Sequence, residues 1–187
     1  MKLWVRIGAL ALSLVMPLLA AGFVRAAEGD APRAPPSAEA KAAAETLARA
    51  RDAGGGRAVT EALIAMLGSR LELVHYPKAA NDGIIDGPGT FGPAMRAQLD
   101  ALEKAMPDFR QEIAGIVANG DEVEVTQSWS GSIDGEAARA RLFAAYQIKD
   151  GRIVRMRARS ASADPHGKGF ATALKKGGFM LPPVEAK

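Results

Sequence analysis

FRQEIAGIVANGDEVEVTQSWSGSIDGEAARARLFAAYQIKDGRIVRMRARS, residues 109–160, is the stretch that decides the fold. Phe109 to Val117 reads as a strand, and Asn119-Gly120-Asp121 as a hairpin turn. Val123, Val125, Gln127 and Trp129 then alternate with Glu122, Glu124, Thr126 and Ser128, the period of a half-buried strand. Gly131 to Gly135 is a second turn, Ala140 to Lys149 a third strand, Asp150-Gly151 a third turn signal, and Ile153 to Ser160 the last strand. Strands joined by turns this short predict an antiparallel meander.

The flanks are helical. Downstream, residues 163–187 are rich in Gly and Lys but carry Phe170, Leu174, Phe179, Met180 and Leu181, so part of this tail is expected to pack. Upstream, Pro93 suits a first helical turn. Met95, Leu99, Leu102 and Met106 follow at helical spacing, with Arg96, Gln98, Asp100 and Glu103 outside. Residues 78–92 (KAANDGIIDGPGTFG) read as a loop with Asp-Gly turns at Asp82 and Asp86, of a length that often carries function. LELVHYP, 71–77, is expected to be a strand, with Leu71, Leu73 and His75 on one face and Glu72, Val74 and Tyr76 on the other. RAVTEALIAML, 57–67, predicts a helix that Gly68 stops. Before it, Gly54-Gly55-Gly56 breaks an Ala-rich helix that Ser37 can cap. Leu47 is the only large apolar residue of that first helix, which therefore has little with which to grip a core.

The first 26 of the 187 residues have the parts of a secretory signal peptide. Lys2 and Arg6 form the positive region, Ile7 to Val24 carries no charge, and Val24-Arg25-Ala26 suits cleavage after Ala26. An uncleaved anchor is the alternative; Pro17 within the apolar run favours cleavage. The expected organisation is signal peptide 1–26, flexible linker 27–36, α+β domain 37–162 and partly packed tail 163–187. The location follows: periplasmic or secreted, with no membrane span after cleavage. The net charge of +3 belongs to the leader, because removing Lys2, Arg6 and Arg25 leaves 21 basic against 21 acidic residues. No basic stripe suits nucleic acid. With no cysteine, disulfides, thiolate metal sites and a Cys nucleophile are excluded, and two histidines make a protein-built metal site improbable.

The order helix, helix, strand, helix, meander comes with HYP at 75–77, MPDF at 106–109, ANGDEV at 118–123 and KDGRI at 149–153. On these residues the chain resembles the SnoaL-like family, of the cone-shaped superfamily named for nuclear transport factor two, over about residues 40–162. The resemblance implies helices on a strongly curved antiparallel sheet, a pocket at the open end of the cone, and frequent homodimers. Family members include polyketide cyclases, ester cyclases, epoxide hydrolases, ketosteroid isomerases and dehydratases, besides domains of no known activity, so the fold does not select the activity. SIDGEAARAR at 132–141 is shorter than the proline-containing stretch of cyclase-type members.

By the resemblance, the end of the first strand points into the mouth of the cone, which makes His75 the candidate general base. The bland reading is a histidine satisfied by a backbone carbonyl. Asp108 is a candidate partner, since a desolvated carboxyl titrates nearer neutrality, although turn chemistry favours a capping role. Asp82 and Asp86 could orient His75, but each precedes Gly and the turn reading is preferred. Tyr76, Gln127, Trp129 and Tyr146 are candidate pocket walls. The Tyr146 hydroxyl is either a donor in the pocket or a core hydroxyl bonded to backbone, and Trp129 more often means core or dimer interface than pocket wall. Arg155, Arg157 and Arg159 alternate along the last strand, a solvated or dimer-facing ladder opposite Glu122 and Glu124. His166 is assigned nothing.

These readings converge on an exported SnoaL-like domain that binds a small apolar molecule. Were it an enzyme, cofactor-free acid/base chemistry is expected, isomerisation, cyclisation or hydration, with His75 as base and Tyr146 or Asp108 assisting. The alternatives are a non-catalytic ligand-binding module and a dimeric interaction domain of the cell envelope.

Overall fold

In a computed structural model the described residues are 33–76, 82–160 and 167–179, so the expected signal peptide, His166 and the end of the tail lie outside them. Helix α1 spans Ala38–Met66 and runs without a loop into β1, Leu67–Tyr76. A short strand β2 (Gly83–Ile85) and a π-helical turn (Gly87–Phe91) lead into α2, Gly92–Ala105. Four strands follow: β3 (Arg110–Asn119), β4 (Glu122–Ile133), β5 (Glu136–Lys149) and β6 (Arg152–Ser160). Helix α3, Gly167–Gly177, ends the described chain.

The meander forms as its turn residues dictate. Asp134-Gly135 and Asp150-Gly151 both have positive φ at each residue (54° and 82°, 53° and 67°), the geometry of the hairpin turn that Asp-Gly favours. The sheet order is β2-β1-β6-β5-β4-β3, and β1 lies parallel to β6. The sheet is therefore mixed, which corrects the expectation of an antiparallel one. Local alternation cannot show which distant strand becomes a neighbour, and parallel partners need the long crossover that α2 and the meander supply.

Other boundaries also move. Strand β1 begins at Leu67, not Leu71, and Gly68 sits inside it. The long loop carries β2, paired to β1 at Leu71–Ile85, as well as the π-helical turn. Strand β4 continues through the expected turn at Gly131 to Ile133, so β5 starts at Glu136. Gly131 lies within the strand, where a Cβ would meet the Met106 methyl at 2.7 Å and Phe109 Cα at 3.3 Å. The Ala-rich helix grips better than expected: Leu47 is 1% exposed, and Ala40 and Ala43 pack beside it. Ser37 caps the helix, its hydroxyl accepting from the Ala40 amide at 3.1 Å. The chain just before it is tied to the β3–β4 turn, with the Ala34 amide donating to Asn119 Oδ1 (2.9 Å) and the Ser37 amide to the Gly120 carbonyl (2.7 Å).

Two apolar clusters result. One unites α1, β1, Phe91 and the inner faces of β4, β5 and β6. The second joins α2 and α3 around Phe109, Trp129 and Phe170, whose rings meet edge-on at centroid distances of 5.8 to 6.4 Å. Exposed ion pairs tie α1 to α2: Arg57 to Asp100 (2.6 Å) and Glu103 (2.9 Å), and Arg96 to Glu61 (2.7 Å).

Candidate functional site

Strand parity sets the inner face. Tyr146 of β5 and Val125 and Gln127 of β4 face inward, as do Gln111 and Ile113 of β3. The second half of α1 contributes Val59, Thr60 and Leu63, and α2 contributes Met95, Gln98 and Leu99. Between them lies a small cavity of about 40 Å³. That admits about three waters, at roughly 10–15 Å³ each.

The polar groups form a chain. Trp129 Nε1 donates to Gln127 Oε1 (3.1 Å), which also accepts from Gln111 Nε2 (2.7 Å). Gln111 Nε2 lies 3.3 Å from Thr60 Oγ1, which donates to the Gly56 carbonyl (3.1 Å). Gln98 Nε2 is buried against the cavity with no partner. The Tyr146 hydroxyl makes no bond among the described residues, and burial pushes its pKa up, so it stays a neutral phenol near pH 7. Among the described residues no Asp, Glu, His, Lys or Arg lines the cavity.

The candidate residues thus separate. Tyr146 and Gln127 line the cavity; Trp129 stands behind Gln127 in the aromatic cluster. His75 does not line it. His75 pairs with Ala158, Ala158 with Ala144, and Ala144 with Val125. Three strand spacings of about 4.8 Å put its backbone about 14 Å from Val125, and β5, which carries Tyr146, lies two spacings away.

His75 instead has its own carboxylate. Its Nδ1 lies 2.6 Å from Asp82 Oδ1, which also accepts from the His75 amide at 3.0 Å, and the side chain is 7% exposed. Asp82 is therefore an orienting group, not merely a turn residue. Asp86 does serve the turn, accepting from the Gly89 amide at 3.1 Å. Tyr76, 55% exposed, is not a wall of the cavity. Asp108 accepts from the Ser132 amide (2.9 Å) and hydroxyl (2.8 Å), and these bonds hold its carboxyl below the ordinary range. It caps the α2–β3 junction, and its pKa moves opposite to what a general base near neutrality needs.

On the other sheet face Arg157 bonds Glu122, and Arg155 lies 3.0 Å from Glu72. Arg141 and Arg159 stack on Phe143 at 5.3 and 5.0 Å. Sequence reasoning missed Thr60, Gln98 and Gln111. Among the described residues no three His, Asp or Glu side chains gather to hold a metal ion, and no helix is long and apolar enough to cross a membrane.

Several solved structures are similar. A protein of Acidithiobacillus ferrooxidans described as a polyketide cyclase is 17% identical, over 73% of this chain and 97% of its own, with a TM-score of 0.47. A protein from a soil-derived mobile gene cassette is 17% identical over 66% and 92%, with a TM-score of 0.46. An epoxide hydrolase of M. tuberculosis is 19% identical over 73% and 92%, with a TM-score of 0.42. No curated protein matches this chain. Residues 73–156, from β1 to β6, match the family model described as SnoaL-like domain. Over these residues the chain is similar to the SnoaL-like family.

Proposed function

We propose that the chain binds a small uncharged molecule in the cavity enclosed by α1, α2 and β3 to β5. The observation that carries this is the composition of the wall: apolar side chains interrupted by Gln98, Gln111, Gln127, Thr60 and Tyr146, with no charged group. Apolar walls with a few placed polar tips are what small-molecule sites use for affinity and orientation. The wall holds no titratable base, which favours binding over acid/base turnover at this place. Export through the leader and a homodimeric assembly belong to the same proposal.

A second reading, acid/base catalysis, is favoured by one observation, the 2.6 Å contact between His75 and Asp82. A carboxylate on Nδ1 fixes the imidazole tautomer and leaves Nε2 for a substrate. One experiment separates the two. The full chain is titrated with a mixture of small neutral cyclic molecules, and the methyl signals of Met95 and Leu63 are followed by NMR beside the ring signals of His75. Movement of the methyls with a still His75 is the expected result. Movement of His75 alone would transfer the function to the dyad.

A further inference from the structure

The direction of the hydrogen bonds in the cavity wall says what the bound molecule presents. An indole N–H can only donate, so the Gln127 atom facing Trp129 must be its oxygen. That oxygen is also 2.7 Å from the Gln111 amide, whose facing atom must then be nitrogen. At the other end a backbone carbonyl can only accept, so Thr60 gives its proton to Gly56 and takes one from Gln111. Both glutamines are thereby locked, and neither amide can flip without leaving a buried group unpaired.

The lock leaves a donor surplus. Gln111 Nε2 has spent both hydrogens, whereas Gln127 Nε2 has spent none within the chain of bonds. Gln98 Nε2 is buried against the same cavity with no partner. The Tyr146 hydroxyl, kept protonated by its burial, adds a further donor. Against these stand Gln98 Oε1, Gln111 Oε1 and the oxygen of the phenol itself as acceptors. The wall has no cation to hold an anion and no carboxylate to hold an amine, and an unpaired charge is costly in such a place.

We infer that the cavity selects a neutral carbonyl group, of a ketone, ester or lactone, seated between the amide nitrogens of Gln98 and Gln127 and the hydroxyl of Tyr146. A carbonyl oxygen has two lone pairs and no hydrogen, which matches a surplus of donors. This rests on the cavity being the binding site. Discrimination is strong because a ligand lacking the acceptor leaves desolvated donors unpaired, whereas the carbonyl ligand satisfies them.

The test uses three probes of one shape, cyclopentanone, methylenecyclopentane and cyclopentanecarboxylate, titrated into the isotope-labelled full chain. The readout is the side-chain amide signals of Gln98 and Gln127 beside the methyl signals of Met95 and Leu63. The ketone is expected to move both sets and to bind at least about tenfold more tightly than the alkene or the carboxylate. Gln98→Leu, which lies outside the locked chain of bonds, is expected to cut ketone affinity about tenfold and to narrow or reverse the preference for the ketone over the alkene. Equal binding of ketone and alkene at the cavity methyls would overturn the carbonyl selection while leaving a binding cavity. Tightest binding of the carboxylate would overturn it too. If no probe moves the cavity methyls, both the selection and the binding reading fall.

Discussion

Asp108 is bonded to the Ser132 amide and hydroxyl, and the amide, the larger influence, holds its carboxyl below the ordinary range. A carboxyl depressed by folding contributes stability that is complete above its unfolded pKa, near 4. That contribution is lost as pH falls through the folded value, where folded and unfolded chains carry the same proton. Asp108→Asn is thus expected to be less stable than the parent at about pH 6, with the gap closing as pH falls below the carboxylate range. Urea unfolding at stepped pH values checks this, and a gap independent of pH would show that charge has no part in the cap. The candidate residues were only partly readable in the sequence. Period-two alternation does put His75, Gln127 and Tyr146 on the inner face of the sheet. It says nothing of distance across the sheet: β6 lies between the strands of His75 and Tyr146, and Tyr146 shares its row with Leu73, two residues before His75. Asp82 was hidden because Asp-Gly is ordinary turn chemistry, and the bond to His75 depends on how that turn folds back. Gln98 was hidden because it sits among Arg96 and Asp100, which reads as a solvent face, whereas α1 packs over that flank of α2.

Among the elements, α1 shows two different uses of glycine. Gly54 and Gly55 leave helical geometry, and Gly55 has φ of 64° with nothing near its missing Cβ. Gly56 is a matter of space: a Cβ there would lie 2.6 Å from both Gln111 Cγ and the Gln111 backbone carbonyl. A strand carbonyl cannot swing aside, so the helix would have to back away from β3. Gly56→Ala is therefore expected to cost about 1–3 kcal/mol as overpacking, and to disturb the Gln111 side-chain amide. Gly55→Ala is expected to cost about 1–2 kcal/mol through its left-handed backbone and to leave Gln111 alone. Urea midpoints together with the Gln111 amide signals distinguish the two, and equal disturbance of Gln111 by both would refute the close-approach argument. The break itself was plain in the sequence, since three glycines end any helix. What lay hidden was that the second of the two helical pieces forms a wall of the cavity. The strand glycines Gly68 and Gly131 misled for a related reason, because a glycine needed for room looks the same as one needed for a turn.

At the scale of the molecule, α3 touches the site through one intermediary, Trp129. The sequence shows that the tail is too apolar for a linker, but not where it docks, because a contact between residue 170 and residue 129 leaves no local pattern. Phe170 is fully buried, with its ring 6.0 Å from Trp129 and 6.4 Å from Phe109. Trp129 in turn fixes Gln127, and through it the direction of the bonds in the cavity wall. Removing the Phe170 ring takes away one wall of the Trp129 socket. Phe170→Ala is expected to cost about 3–5 kcal/mol of stability, the range for a buried phenylalanine. It is also expected to shift and broaden the Trp129 indole N–H signal and, with it, the Gln127 amide signals. Phe170→Leu keeps most of the volume and is expected to retain both sets of signals with a smaller loss of stability. If Phe170→Ala loses stability while the Trp129 and Gln127 signals stay in place, α3 is a separate apolar patch and the cavity wall holds its geometry without it. If those signals move together, the tail belongs to the site, and any truncation that removes α3 costs ligand selectivity as well as stability.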